Sequence, residues 1–214
     1  NFGDFTLSAL GNMTFARNKV VEYDEVPPRY DYQRVTGYQL GKPWLYIADG
    51  LYTPDDFIVT TNPDNGAKLY TLKDGYPTPA ANVQPGDIKY RDLNNDGVIN
   101  TYDRTVEHGY YGETPEIVYG FGLNAEWKGF FVGVFFQGAA HASQTLNNYG
   151  SIMPFSVSKN ASSARSLLAD RWSANDPYNQ NVLYPRVHSG EFSYNNYDST
   201  WWRRNSDFLR FKNL

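Results

Sequence analysis

Residues 117–137 read IVYGFGLNAEWKGFFVGVFFQ, and this stretch decides the fold class. In residues 117–127 every second side chain is apolar, and those between are mostly small or polar, a period of two that predicts a β-strand. The apolar face comprises Ile117, Tyr119, Phe121, Leu123, Ala125 and Trp127. Lys128 and Gly129 form a tight turn, and residues 130–138 alternate again, so the stretch predicts a β-hairpin.

The length of these strands is typical of a transmembrane β-barrel. About 9–11 residues cross a bilayer at a tilt, and a barrel strand turns an apolar face towards lipid and a polar face towards the lumen. Residues 4–17 alternate in the same way, and residues 201–214 form a fourth run. The sequence therefore predicts an all-β fold, part of a large antiparallel transmembrane β-barrel, with strands at residues 4–17, 116–127, 130–138 and 201–214.

The connections between these strands differ greatly in length. Residues 18–115 and 139–200 form two long connections, whereas the turn at Lys128 is minimal. Outer-membrane barrels place short turns on the periplasmic side and long loops outside, so we expect both long connections to be extracellular. In the second, Asn160 fits an N-cap and is followed by apolar residues at helical spacing, which predicts a short loop helix over residues 160–172.

The first long connection contains DLNNDGVINTYD at residues 92–103, a spacing of oxygen-bearing residues typical of a calcium-binding loop. Ca²⁺ takes about six to eight oxygen ligands, and such a loop surrounds it only if the chain turns sharply at its sixth position, here Gly97. Position twelve is an aspartate rather than the usual glutamate, as in dockerin-type loops. The predicted ligands are Asp92, Asn94, Asp96, the Val98 carbonyl, Asn100 and Asp103. The alternative is an ordinary Asn/Asp/Gly turn without a metal.

Composition narrows the classes of partner and chemistry. The 214 residues carry a formal net charge of −4 and no cysteine, which excludes disulfides and thiolate chemistry. Because no basic stripe is present to neutralise phosphates, we expect no nucleic-acid partner. No run of about 18 apolar residues predicts a transmembrane helix. The chain starts and ends inside predicted strands, whose open edges cannot persist in hydrocarbon, so we expect a fragment of a larger barrel.

The sequence does not indicate an enzyme. It contains no GxSxG or HExxH motif, and its three histidines, His108, His141 and His188, are far apart. We interpret each histidine as a polar loop residue and the paired carboxylates as solvated. Aromatic loop residues could stack on sugars or hold a peptide, but they also suit ordered loops because they bury a large area while keeping a polar group. These residues are Trp44, Tyr46, Tyr149, Trp172, Tyr178, Tyr194 and Tyr197. The substrate-binding residues therefore stay unassigned.

Several motifs, in the same order, resemble the C-terminal part of SusC/RagA-type TonB-dependent outer-membrane transporters. They are ARNKVVEYDE (16–25), TGYQLGKPWLYIADGLY (36–52), PGDIKYRDLNNDGVINTYDRT (85–105), PEIVYGFGLNAEWKGFFVGVFFQG (115–138), LADRW (168–172) and DFLRFKNL (207–214). Residues 53–82 and the loop over residues 141–158 match no motif of that family, so the substrate stays unknown.

The resemblance implies a barrel in the bacterial outer membrane, in contact with lipid and driven by the TonB system through parts absent from this chain. It also implies a SusD-like surface lipoprotein as partner and an oligosaccharide or peptide as substrate. The alternative from the residues alone is a secreted soluble β-sandwich that binds calcium and carbohydrate, because sandwich strands also alternate. Periodicity does not decide whether the apolar face meets lipid or a second sheet.

Overall fold

The computed structural model describes residues 3–147, 166–188 and 192–214, and this part of the chain is all-β. The regular elements are strands joined by turns, with short 3₁₀ helices at Asp31–Gln33, Pro54–Asp56, Thr101–Asp103, Ser166–Ala169 and Tyr194–Asn196. The strands are β1 Phe5–Phe15, β2 Leu45–Tyr46, β3 Ala48–Leu51, β4 Phe57–Thr61, β5 Lys68–Leu72, β6 Ile88–Tyr90, β7 Arg104–Thr105, β8 Ile117–Trp127, β9 Phe130–Ala140, β10 Ser143–Thr145, β11 Arg203–Asn205 and β12 Phe208–Asn213. None of the helices among these residues is long and apolar enough to cross a membrane.

The largest sheet has the order β1-β8-β9-β12, with every neighbouring pair antiparallel. β8 and β9 form the predicted hairpin, in which Trp127 pairs with Phe130 across the turn. Lys128 and Gly129 both have positive φ angles, 47° and 86°, as a two-residue hairpin turn requires. β1 pairs with β8 along its whole length, from Phe5 opposite Trp127 to Phe15 opposite Ile117.

The register aligns one apolar set of alternating residues from each of the four strands on the same face. Leu123 lies between Ala9 of β1 and Val134 of β9, and Phe121 lies opposite Phe136. The rings of Phe121 and Phe136 stack with centroids 5.1 Å apart. This register assigns the two sides of β9, whose sequence is apolar on both: the side with Phe130, Val132, Val134 and Phe136 continues the apolar face of β8.

Glycines on the opposite face make room for the other aromatic side chains of β9. A Cβ atom on Gly120 would lie 2.9 Å from the ring of Phe135, and one on Gly122 would lie 3.1 Å from it. On β9 itself, a Cβ on Gly133 would come within 3.2 Å of the Phe131 ring. The small residues alternating along β8 therefore accommodate the bulky residues of β9, which explains how a strand that is apolar on both sides fits a two-faced sheet.

The apolar face of this sheet is open to its surroundings. Met13 is 71% exposed and Phe130 is 76% exposed, and Leu123, near the middle of the face, is 48% exposed. A soluble β-sandwich buries such a face against a second sheet about 10 Å away. In the part of the chain that the structure describes, the apolar face remains exposed, which is typical of a strand surface that contacts lipid.

A hydrophobic core lies in the two long connections. Their short strands form two-stranded sheets, β2-β7, β3-β6, β4-β5 and β10-β11. The buried residues of this core are Tyr46, Leu51, Tyr52, Phe57, Val83, Ile88, Tyr90, Ile99, Tyr184, Tyr194 and Trp202. Because residues 46–99 and 184–202 contribute to one cluster, the two connections fold into a common layer.

The predicted strand at residues 201–214 is wrong as a single element. The chain leaves β11, which pairs with β10, and enters β12, which pairs with β9. At the break the Ser206 N–H donates to the Ala142 carbonyl at 3.0 Å, and the Asp207 carboxylate accepts from the Ala142 N–H at 3.2 Å. On the facing strand His141 takes a positive φ of 57°, so both strands change partners at one level.

The predicted helix at residues 160–172 is also wrong over its described part, residues 166–172. Residues 160–165 lie outside the described residues, and Ser166–Ala169 form one 3₁₀ turn. Extended backbone follows, because the Trp172 N–H donates to the Tyr184 carbonyl at 2.9 Å and the Tyr184 N–H donates to the Asp170 carbonyl at 3.0 Å. The Trp172 ring packs directly against Gly86, and a Cβ atom added to Gly86 would lie only 2.3 Å from the ring. Backbone pairing with Tyr184 therefore outweighs the helical spacing of the sequence in this segment.

Candidate functional site

The loop over residues 92–103 is held in a tight turn by the residues predicted as metal ligands. Asp92 Oδ2 accepts a hydrogen bond from the Gly97 N–H at 2.8 Å, and Asp96 Oδ1 accepts from the Val98 N–H at 2.9 Å. Gly97 has a φ of 81°, so the sharp turn expected at the sixth position is present. Asn94 and Asn100 both contact Asp96, through amide nitrogens 2.9 and 3.5 Å from its Oδ2.

The end of the loop closes onto its beginning through Asp103. The buried Asp103 carboxylate accepts from the Leu93 N–H at 2.9 Å and from the Asn100 N–H at 2.8 Å. Burial raises the pKa of Asp103 against the lowering effect of these bonds, and the charge of Asp92 raises it further. Burial, with the charge of Asp103, also raises the pKa of the adjacent Tyr32 to about 12. The loop therefore concentrates negative charge that no cationic side chain pairs with among the described residues.

The loop is attached to the core through its eighth position. Ile99 is buried, and its N–H donates to the Thr78 carbonyl at 2.9 Å, while the Thr78 N–H donates to the Gly97 carbonyl at 2.8 Å. Thr78 and Val98 thereby form a short parallel bridge. These contacts anchor the loop on the hydrophobic core.

The fit of the loop to a cation is partial. Asp92 Oδ1 is buried and has no hydrogen-bond partner, as expected of an oxygen reserved for a metal ion. However, the described residues contain no group of three or more His, Cys, Asp or Glu side chains placed to hold a metal. The six predicted ligands share one loop, but apart from Asp92 Oδ1 their oxygens bond to backbone N–H groups and amides of the loop.

A second polar centre, absent from the sequence prediction, lies at the buried Asp87. Arg186 donates to its two oxygens at 3.1 and 2.9 Å, and His188 Nε2 lies 2.9 Å from Oδ1. The Asn195 amide also donates to Oδ1 at 2.9 Å. Burial alone would raise the pKa of Asp87, but the hydrogen bonds from His188 and Arg186 outweigh it and hold the pKa below its usual value. Asp87 thus ties the first long connection to the second.

A third polar cluster lies where β1, β8 and β9 end, on the side opposite the hairpin turn. Arg17 donates to both carboxylate oxygens of Glu116 at 2.9 and 2.7 Å, and His141 Nδ1 lies 3.1 Å from Glu116 Oε2. The bond from Arg17 lowers the pKa of Glu116. The His141 ring stacks on Tyr111 with centroids 4.4 Å apart. This cluster fixes the start of the loops relative to the sheet.

The remaining histidine and the aromatic residues have structural surroundings. His108 Nε2 lies 2.9 Å from the Pro43 carbonyl oxygen, and burial lowers the pKa of His108 to about 4. Tyr46 and Tyr194 are buried in the loop core, whereas Trp44 and Tyr178 are exposed. Tyr149 lies outside the described residues. The interpretation of the aromatic residues as mainly structural fits Tyr46 and Tyr194.

Comparison with known proteins gives a consistent result. No family model matches the chain. The TonB-dependent receptor P3 of Formosa agariphila is 26% identical over 196 residues, which cover 86% of this chain and 17% of that receptor. Two solved structures of the RagAB peptide importer match 99% of this chain and 20% of theirs, at 16% identity and TM-scores of 0.52 and 0.55. The chain is therefore similar in sequence to a TonB-dependent receptor and in fold to the RagAB importer.

TonB-dependent receptors and RagAB transporters are β-barrel proteins of the bacterial outer membrane, and the expected location of this chain is thereby confirmed. The all-β prediction and the resemblance are confirmed. The chain spans about a fifth of the length of these proteins, and their names describe receptors and importers rather than enzymes.

The Asp87 centre gives a testable prediction. The substitution Asp87→Asn should destabilise the loop layer by about 3 kcal/mol, because Arg186 loses a buried charged partner. Since the folded pKa of Asp87 is lowered, its stabilising effect should be complete above about pH 4 and be lost as the pH falls through the lower folded value. Hydrogen exchange at Ile88, whose N–H donates to the Asn195 side chain, measures both effects.

The matched control is Asp64→Asn, which removes the same charge from an exposed turn and should leave exchange at Ile88 unchanged. Equal protection of Ile88 in the Asp87 variant and the unmodified chain would show that this centre does not hold the loops together.

Proposed function

We propose that this chain contributes strands and loops to the barrel of an outer-membrane transporter that imports oligosaccharides or peptides. The observation that supports the proposal best is the exposed apolar face of the four-stranded sheet, with Met13, Leu123 and Phe130 open to the surroundings. Strands of 11 residues in β1, β8 and β9 match the length that crosses a bilayer at a tilt. The opposite face carries polar residues suited to a water-filled lumen, among them Asn12, Asn124 and Gln137, beside its glycines and the aromatic residues of β9.

The proposal includes the orientation of the chain in the membrane. The hairpin turn at Lys128 and Gly129 lies at one end of the sheet, and the folded loop layer begins at the other, beyond Phe15, Ile117 and Ala140. Short turns are periplasmic in such barrels, which supports an extracellular position for residues 18–115 and 139–200. A rigid layer at that position would form the rim of the channel.

The partners in the proposal are a SusD-like surface lipoprotein and the TonB system. Their support is the likeness to the RagAB peptide importer and to a TonB-dependent receptor, of which the matched parts are 20% and 17%. An extracellular loop layer with its own hydrophobic core offers a defined surface to a lipoprotein. Coupling to TonB would pass through parts of the protein outside this chain.

The proposal is tested in cells that express the full-length protein. We expect it to stay in outer membranes after carbonate extraction, to show heat-modifiable migration in gels, and to copurify with a surface lipoprotein in detergent. A deletion strain should lose growth on one oligosaccharide or peptide source while keeping growth on the corresponding monomer. Recovery of the protein from the medium without detergent would contradict the proposal and favour the soluble calcium- and carbohydrate-binding module.

We further propose that the loop over residues 92–103 binds Ca²⁺ and has a structural role. Asp92, Asn94, Asp96, the Val98 carbonyl, Asn100 and Asp103 would supply its oxygens. Support comes from the buried Asp92 Oδ1 without a partner, the Gly97 turn and the unpaired negative charge around Asp103. A divalent cation would neutralise this charge and stabilise the folded loop only while it is bound.

The calcium proposal predicts a metal-dependent stability. At a Ca²⁺ concentration about 100 times the dissociation constant, the loop should gain about 2.7 kcal/mol. Hydrogen exchange at Ile99, whose N–H bonds to Thr78, should slow on adding Ca²⁺ and recover on chelation.

Asp92→Asn should abolish this response, and Asp64→Asn, in an exposed turn, should keep it. If Ca²⁺ leaves exchange at Ile99 unchanged at millimolar concentration, the loop is the ordinary Asn/Asp/Gly turn.

A further inference from the structure

A cavity of 430 Å³ lies beside the rim cluster of Arg17 and Glu116. Three chain segments form its walls, at residues 17–19, 37–42 and 109–111. Backbone bonds fix these walls: the Val20 N–H donates to the Tyr38 carbonyl at 2.8 Å, and the Gly37 N–H donates to the Val20 carbonyl at 2.8 Å. Its volume is within the range of about 300–1,000 Å³ that is common for small-molecule sites.

The lining of this cavity is positively charged although the chain as a whole is acidic. Arg17, Lys19 and Lys42 line it together with one carboxylate, Glu116, which leaves a net of two positive charges. Arg17 and Glu116 neutralise each other in their two-bond pair. The excess charge therefore belongs to Lys19 and Lys42, and among the described residues neither forms an ion pair.

The charge of Lys42 is only partly compensated by its surroundings. Its Nζ lies 5.0 Å from the centre of the Tyr38 ring. Burial lowers the pKa of Lys42, and the charge of the nearby Glu107, whose carboxylate accepts from the Tyr38 hydroxyl at 2.6 Å, opposes this effect without cancelling it. Burying a charge that is incompletely compensated is unfavourable, so an anion entering the cavity would lower this cost.

The uncharged groups around the cavity are also hydrogen-bond donors. Asn18 Oδ1 accepts from the Leu40 N–H at 2.7 Å, and Gln39 Oε1 accepts from the Gly112 N–H at 2.8 Å. With both amide oxygens occupied, each side chain keeps its NH₂ group, which has no partner in the described part of the chain. A lining of two lysines and two amide NH₂ groups suits a ligand rich in acceptor oxygens.

The shape of the lining favours a glycan over a peptide. One mode of peptide binding adds the peptide along a strand edge, through its backbone, and this mode is not open here because none of the lining residues lies in a strand. Tyr38, Tyr110 and Tyr111 instead provide aromatic surfaces. Tyr111 already stacks on His141 with one side of its ring. A sugar ring can pack on such surfaces while its carboxylate or sulfate meets the lysines.

We infer that this cavity is a binding site for an anionic oligosaccharide, whose carboxylate or sulfate groups pair with Lys19 and Lys42. The inference rests on the proposed function, since it names the substrate class of the transporter. It adds a location for recognition, on the loop side of the sheet where an imported chain would first meet the barrel.

The test is a titration calorimetry experiment on the full-length receptor in detergent. The probes are trigalacturonate, which is carboxylated, maltotriose, which is uncharged, and triglutamate, which is an acidic peptide. We expect trigalacturonate to bind at least about tenfold more tightly than the other two, since each charged hydrogen bond is worth about a tenfold change in affinity. Its affinity should fall as salt is added.

Variants then locate the binding. K19M/K42M should weaken trigalacturonate binding about tenfold or more, and K19R/K42R, which keeps both charges, should retain most of it. The matched control is Lys128→Met: its Nζ also lies over an aromatic ring, 5.3 Å from the Trp127 centroid, but at the other end of the sheet. It should bind like the unmodified receptor.

The results separate this inference from the proposed function. Each preparation is first checked for outer-membrane retention and heat-modifiable migration, and failure there concerns the transporter itself. A correctly inserted receptor that does not bind trigalacturonate, or whose K19M/K42M variant binds it unchanged, would overturn the anionic site. Tighter binding of triglutamate than of trigalacturonate would overturn the assignment to a glycan.

Discussion

Pairing of backbone groups in a water-free medium is the constraint on which this structure depends. A strand in hydrocarbon has no water to bond its N–H and C=O groups, so it needs a partner on each side. β8 and β9 have such partners in β1 and β12, through an unbroken register over 11 residues in β1, β8 and β9. The same register sets which side chains share a face, because a shift of one residue would exchange the two faces. Leu123 and Val134 are therefore directed to one side, and Asn124 and Gly133 to the other.

The loop layer depends on a different kind of interaction, the burial of aromatic rings and a few charged groups. Trp202 and Tyr90 are almost fully buried there, and such residues bring large area into a core made from short strands. Asp87 joins distant segments because Arg186 and Asn195 reach it from the other connection. A layer stabilised in this way can keep the loop over residues 92–103 and the cavity beside Arg17 in place at one end of the sheet. The four-stranded sheet and the loop layer are thus stabilised by different interactions, as expected if the sheet contacts lipid and the loop layer contacts water.

The sequence predicts the part of the structure that depends on local pattern. Alternation in residues 117–127 and the Lys128-Gly129 turn specify the hairpin, because period two and a two-residue turn leave little freedom of register. The break between β11 and β12 was not predicted, since it follows from contacts of Ser206 and Asp207 with Ala142, about 65 residues earlier. The Asp87 centre was missed for the same reason: nothing near Asp87 in sequence indicates partners about 100 residues away. In the loop over residues 92–103, the spacing located the turn at Gly97 and the position of Asp92, whereas the binding of a cation stays a prediction.

The most direct test of the central claim places one spin label on each face of the sheet in the assembled membrane protein. The chain has no cysteine, so Leu123→Cys and Asn124→Cys each provide a single labelling position in it. If the apolar face meets lipid, the label at position 123 should collide mainly with dissolved oxygen, which concentrates in hydrocarbon, and hardly with a water-soluble nickel complex. The label at position 124 should show the reverse. A label at position 123 that is shielded from both reagents would mean that a second layer of protein covers the apolar face, and would contradict the account.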